Sequence, residues 1–282
     1  MGKPNSMRHL DNALRRACGG STSEYVRART MMANAIVGSM LPDGVIKGGS
    51  AIKMRFGDAE TRFTIDLDAA TPTAPEEYAM RLNDALAQGW EGFSGRVVPR
   101  SPAMPEGVPE EYVMQPFDVK LTFAGKPWCT VPLELSHNEI GDADSPDWME
   151  APEIAKLFEL VGLPSPGKAP LMTLEYQAGQ KLHAVSGRGD RARDLVDLQL
   201  IMAKGNVDLV ETKRICERLF LYRKEQAWPP VVKVKPGWNF LYAEQASGLP
   251  VLQEVEEAVG WVNDLIRKID GENANCDSDS CA

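Results

Sequence analysis

Near residue 148 this 282-residue chain passes from mixed strand- and helix-period stretches to helix-period stretches alone, and that change limits the folds open to it. Before it, apolar and polar positions alternate in short runs. Phe63, Ile65 and Leu67 alternate with Thr64, Asp66 and Asp68, and the runs Phe117–Phe123 and Cys129–Leu135 are joined around Gly125-Lys126. Such runs read as half-buried strands, the last two as a hairpin with Val119, Leu121 and Phe123 on one face of its first strand and Val131, Leu133 and Leu135 on one face of its second. Shorter strands are predicted at Val45–Lys47 and over 94–98, and a proline-rich loop over 99–110. A Ser21-Thr22-Ser23-Glu24 capping box opens a helix over 22–41, and a further helix is predicted near 75–88. Beyond 148 the spacing turns helical, over 152–161, 174–186, 191–204, 207–227 and 251–268. The pattern therefore predicts an α+β domain over 1–148, a helical domain over 149–270 and a disordered tail over 271–282.

Composition narrows the class. No window reaches the ~18 uninterrupted apolar residues of a membrane helix, and the N-terminal stretch lacks an apolar signal-peptide core, so a cytoplasmic protein is expected. Five widely spaced cysteines and three histidines argue against a disulfide framework and against a His/Cys zinc site. The net charge of −9 opposes polyanion binding overall, yet residues 181–224 carry ten Lys/Arg against six acids, a local basic stretch on an acidic body.

The chemistry concentrates in two places. Gly48-Gly49-Ser50 lies between a strand and the opening of a helix, where glycine admits a phosphate close to the backbone, helix N–H groups favour negative charge, and the serine hydroxyl adds a donor. On the strand that follows, Asp66 and Asp68 share a face at a spacing of about 6.6 Å while Ile65 and Leu67 anchor the other face in the core. Paired carboxylates suit Mg²⁺, which completes its shell with water and phosphate oxygens. Glu134, on the polar face of a later strand, is the candidate third carboxylate, with Asp118 in reserve. The other place is helical. Lys181, set to the side of an apolar face formed by Leu174, Ala178, Leu182 and Val185, is positioned to reach outward to a triphosphate, and Asp194 and Asp197 share a face of the next helix.

The segment Val45-Ile46-Lys47-Gly48-Gly49-Ser50-Ala51-Ile52 through Arg62-Phe63-Thr64-Ile65-Asp66-Leu67-Asp68 resembles the first motif of the AbiEii/AbiGii nucleotidyltransferase toxins, a branch of the DNA-polymerase-β-like superfamily. Glu175 through Val185 and Arg193-Asp194-Leu195-Val196-Asp197-Leu198 are similar to that family's helical motif. The likeness covers about residues 25–230. Two departures stand out: the third acid is Glu rather than Asp, and the Ser-to-Asp spacing is longer than in the wider superfamily.

The resemblance implies a polymerase-β-like core with a mixed sheet, followed by a helical half that completes the active site. It implies Asp66, Asp68 and Glu134 as ligands of Mg²⁺, Gly48, Gly49, Ser50 and Lys181 as the nucleotide grip, and Asp66, Asp68, Lys181 and Asp194 as catalytic residues. It further implies transfer of NMP from an NTP to RNA, foremost the tRNA 3′ end, by a toxin of a toxin–antitoxin or abortive-infection system whose antitoxin is encoded nearby. The basic 181–224 stretch would then meet the acceptor stem. The residues alone also admit a small-molecule nucleotidyltransferase acting on an antibiotic or metabolite, and a catalytically idle nucleotide- or RNA-binding protein. Arg188-Gly189-Asp190 reads as a basic loop, His183 receives no catalytic role, and Trp228, Trp238 and Phe240 read as core.

Overall fold

Short alternating runs become the strands of one sheet, and longer stretches between them supply its cover. The computed structural model describes residues 2–103 and 113–271. Residues 104–110 of the proline-rich stretch, and 272–282 of the expected tail with Cys276 and Cys281, lie outside the described residues. The first unit, Met1–Ala59 with Phe63–Met172, contains α1 (Met7–Ala17), α2 (Thr22–Ser39), β1 (Val45–Lys47), α3 (Gly48–Phe56), β2 (Leu67–Thr71) and α4 (Pro75–Gln88). It continues through β3 (Phe93–Pro99), β4 (Gln115–Phe123), β5 (Lys126–His137), β6 (Asp147–Met149), α5 (Pro152–Val161) and β7 (Ala169–Leu171).

The seven strands are ordered β3-β4-β5-β2-β1-β7-β6, with β2/β5 and β1/β7 parallel and the remaining pairs antiparallel. The β4–β5 hairpin has the expected register, Val119 opposite Val131 and Phe117 opposite Leu133. Its alternate residues Phe117, Val119, Leu121, Phe123, Val131, Leu133 and Leu135 are buried in one core with residues of α1, α2, α4 and α5. Local chemistry sets the helix starts. Ser21 Oγ accepts from the Glu24 N–H at 3.3 Å, completing half of the capping box, while Pro75 and Pro152 stand at helix starts where a missing N–H costs nothing.

Two expectations are corrected and one helix is added. The first unit runs to Met172, beyond the boundary expected at 148, because β7 pairs with β1 (Ile46 opposite Leu171), β6 pairs with β7, and the Met172 N–H bonds the Ile46 carbonyl at 2.8 Å. Strand β2 begins at Leu67 rather than near Phe63. The Ile65 carbonyl accepts from Asn34 Nδ2 and the Asp66 carbonyl from Ser50 Oγ, so side chains take the acceptors that a longer ladder would use. Helix α1, which no expectation covered, buries Leu10, Ala13 and Leu14 at helical spacing behind a Ser6 cap.

The second unit, Glu60–Arg62 with Thr173 onward, contains α6 (Leu174–Ser186), α7 (Arg193–Lys204), α8 (Leu209–Arg223), α9 (Trp238–Ala246) and α10 (Val255–Gly271). Its core holds Leu182, Leu195, Leu198, Phe220, Trp238, Tyr242 and Val262. Helix α9 lies in a stretch read without a helix. Trp238 is buried as expected and Trp228 packs against the same core, whereas Phe240 is 76% exposed. Among the described residues no helix is long and apolar enough to cross a membrane.

Leu133, buried on β5 beside Leu67, has no polar route to compensate for truncation. Leu133→Ala is expected to destabilise the sheet unit by about 2–5 kcal/mol, measured as a lowered urea midpoint of that unit's transition with its slope unchanged.

Candidate functional site

Parallel pairing of β2 with β5 sets Leu67 beside Leu133 and, one residue on, Asp68 beside Glu134. Side chains alternate along each strand, so the two leucines face the core and the two carboxylates stand together on the opposite face, on strands about 4.8 Å apart. On the other flank Lys47 of β1 is the register partner of Asp68, and its Nζ donates to Ser136 Oγ of β5 at 2.6 Å. One sheet face therefore carries Lys47, Asp68, Glu134 and Ser136 in adjoining positions.

The turn from β1 into α3 closes over this row. Gly48 has φ +64°, and a Cβ placed there would stand 2.2 Å from Asp68 Oδ2, so only glycine lets the turn approach the carboxylate. The N-cap residue Lys47 gives no side-chain cap, leaving the start of α3 as a cluster of backbone N–H groups where an anion is stabilised. Gly49 is buried in the same turn. Ser50, expected to offer its hydroxyl to phosphate, has that hydroxyl engaged within the protein. It is buried, its hydroxyl donates to the Asp66 carbonyl, and Asn34 Nδ2 approaches it at 3.4 Å. Ser50 thus fixes the backbone at Asp66.

Asp66 is exposed and precedes the strand, and Ile65, expected in the core, is 54% exposed. The structure joins Asp68 to Glu134 in register and leaves Asp66 on the approach to the strand. Among the described residues no three His, Cys, Asp or Glu side chains gather into a ready ligand cluster. Asp118 lies on the same sheet face opposite Pro132, but Lys120 at 2.9 Å and Arg100 at 3.8 Å engage it. The donor set still suits Mg²⁺, which needs only one or two protein carboxylates beside phosphate and water oxygens, and Asp68 with Glu134 beneath a glycine turn meets that need.

The helical unit holds a separate polar cluster. Lys181 does not reach outward: it is 6% exposed, and its Nζ donates to Asp194 Oδ1 at 2.9 Å and Asp197 Oδ2 at 2.6 Å. Arg62 grips Asp197 with both ends of its guanidinium, Nε to Oδ1 at 2.9 Å and a terminal nitrogen to Oδ2 at 2.8 Å. Arg191 holds Asp194 at 2.8 Å. Burial alone would raise the Asp197 carboxyl, but the charges and hydrogen bonds of Lys181 and Arg62 outweigh it and hold the group far below the usual carboxylate range. Sequence reasoning missed Arg62 because its partner lies 135 positions away. Half of the cations of the basic 181–224 stretch are in ion pairs: besides Lys181 and Arg191, Lys204 pairs with Glu60, Lys213 with Asp270, and Arg214 with Glu211. His183 is pushed down to about 4 by burial and then by Arg223, and so is neutral near pH 7.

The profile of the AbiEii nucleotidyl transferase toxins, of Type IV toxin–antitoxin systems, matches residues 38–260. The chain belongs to this family. An AbiEii toxin of such a system acts on a nucleotide substrate and is paired with an antitoxin. Among solved structures, the nucleotidyltransferase toxin MenT4 from Mycobacterium tuberculosis is similar at 16% identity, with 92% of this chain and 96% of that one covered and a TM-score of 0.53. A putative nucleotidyltransferase from H. pylori is similar at 14% identity over 88% and 95%, with a TM-score of 0.44. No curated protein matches. The likeness to MenT4 shows a shared fold, and the family assignment inferred from the two motifs stands.

The buried cluster predicts an acid limit. A carboxyl whose folded value is depressed adds stability that is complete above its unfolded value near 3.9 and is lost as pH falls below it toward the folded value. Urea midpoints taken from pH 7 down to pH 2 are expected to fall below about pH 4, and Asp197→Asn should flatten part of that fall while costing about 3–5 kcal/mol at neutral pH.

Proposed function

We propose that this AbiEii family member transfers an NMP from an NTP to the 3′ end of an RNA, foremost tRNA, and arrests growth unless its antitoxin is present. The observation that carries the reading is the register of β2 with β5, which stands Asp68 beside Glu134 directly under the Gly48 turn. Gly48 and Gly49 admit the triphosphate against backbone N–H groups at the start of α3, which hold it as an anion. Asp68 and Glu134 would hold Mg²⁺, with Asp66 available from the approach to the strand, and an ion held there would supply charge neutralisation for the triphosphate and a lower pKa for the attacking hydroxyl.

The acceptor oxygen attacks the α-phosphorus in line, the bond between that phosphorus and the bridging oxygen breaks, and pyrophosphate departs with the bonding pair. Exposed Asp66, its backbone fixed by Ser50, takes the hydroxyl proton and passes it to solvent. Ser50 therefore acts as a positioning residue. Lys181 and Asp194 are assigned the same kind of role: with Asp197 they bind α6 to α7 within the helical unit.

Incubation of the purified chain with total RNA, Mg²⁺ and each α-labelled NTP in turn is expected to label a tRNA-sized band. Losing several kcal/mol of transition-state stabilisation corresponds to roughly 100-fold or more in rate, the drop expected for Asp68→Asn and for Glu134→Gln. Gly48→Ala should lose activity comparably, because its methyl displaces the Asp68 carboxylate. Growth arrest that persists with Asp68→Asn, or labelling that ignores all three changes, would refute the assignment.

A further inference from the structure

We infer that the polar face of β3, β4 and β5 is the seat of the acceptor RNA strand, holding its last nucleotides over Thr130, Lys120 and Arg96. The inference rests on the transfer reading above and names where the second substrate binds.

Register sets the geometry. Arg96 pairs with Lys120 across β3 and β4, and Lys120 with Thr130 across β4 and β5, so the three side chains form one row across the sheet. Thr130 and Glu134 lie four residues apart on β5 and share a face, which puts that row about 13 Å from the Asp68–Glu134 pair. In the next row Ser94 and Thr122 face each other with hydroxyl oxygens 2.8 Å apart.

A cavity of about 580 Å³ opens over these residues and also takes in Cys129 and Trp128. A second, of about 220 Å³, shares Cys129 and Thr130 with it and reaches Ile65 and Val26. The second cavity lies beside Ile65, where the chain, instead of continuing β2 along β5, turns away with the Ile65 and Asp66 carbonyls tied to Asn34 and Ser50. The two hollows thus form one track from the residue before Asp66 to the basic row. At the reacting end exposed Ile65 and Val26 can pack a base or sugar beside the polar side chains of Arg29, Thr30 and Asn34, and the far end is cationic.

Two arguments make the occupant the acceptor strand. In-line displacement requires the attacking oxygen on the side opposite the departing pyrophosphate. The triphosphate grip lies on the β1 side of Asp68, and the strand order β3-β4-β5-β2-β1 leaves β5, β4 and β3 as the opposite approach. Charge gives the second argument. A chain of net charge −9 can hold a polyanion only through a local cationic patch, and here, among the described residues, Arg96, Arg100 and Lys120 stand with Asp118 as the acid that pairs with two of them. Of the ten cations of 181–224, Lys181, Arg191, Lys204, Lys213 and Arg214 are already engaged in ion pairs. A small hydroxyl-bearing metabolite would make no use of cations about 13 Å from the acids.

The test uses the full chain with Asp68→Asn, so that binding is read without turnover, and a fluorescent single-stranded RNA ending in a free 3′ hydroxyl. Arg96→Glu with Lys120→Glu is expected to weaken RNA binding at least tenfold. It should also lower the slope of log affinity against log salt by about 1.4, two phosphate contacts at ~0.7 each. Lys156→Glu, on exposed α5 surface lining neither hollow, should leave both unchanged, and binding of a fluorescent NTP analogue should be unaltered in every variant. Should charge reversal unfold the sheet, exposed Arg96→Gln repeats the measurement with a smaller expected loss.

RNA affinity and salt slope that match the parent in the double variant would overturn the inference, as would a loss no larger than that of Lys156→Glu. RNA bound through Arg96 and Lys120 without any labelling by the unmutated chain would instead sink the transfer reading and leave the binding site standing.

Discussion

One strand pairing makes the site possible. The β2–β5 register buries Leu67 against Leu133 and by the same geometry brings Asp68 to Glu134. Like charges in neighbouring strand positions repel, so the pairing is sustained by the leucines below it and by Lys47 in the adjoining position of β1. The apolar face supplies the folding drive, and the polar face is left with two carboxylates that favour a cation between them. A shift of one residue would exchange the faces, placing the acids in the core. Register here is a functional variable as much as a structural one.

Elements defined by short-range patterns were legible in the sequence. The β4–β5 hairpin, the capping box at Ser21, the strand at Val45 and the helices α5 and α6 appear where periodicity put them, since each depends on residues within a few positions of one another. The glycine turn at Gly48 was legible for the same reason. The start of β2 was not. Its alternation from Phe63 onward is real, but Asn34 and Ser50 lie far back in the chain and take the carbonyls that would have extended the ladder. Ile65 consequently surfaces where the pattern would bury it, and Ser50, which the motif offers to phosphate, is committed to the backbone of Asp66. The strands β6 and β7, three residues each, are too short to announce themselves by period.

The helical unit shows the complementary limit. On α6 alone, Lys181 is offset from the apolar stripe and reads as a surface cation. Its burial follows from two aspartates on α7, and theirs in turn from Arg62 and Arg191. Five ionic groups that each look solvated along the sequence form one network, buried except at Arg191, in which every carboxylate has two cationic partners. Removing one member strands a desolvated charge, whereas the intact set adds less than its Coulomb energy implies.

Glu60–Arg62, three residues that belong with the helices although they precede β2, tie the order of synthesis to the order of assembly. Arg62 leaves the ribosome well before α7 is made, and its ion pair with Asp197 closes a loop of 135 positions. No single cut separates the two units: a fragment starting at Thr173 would lack the guanidinium that half-neutralises Asp197, and one ending at Met172 would carry that cation without its acid. The helical part is thus a split module whose smaller piece is embedded in the sheet half of the gene, so insertions, fusions and truncations at 172/173 would divide one electrostatic core between two polypeptides.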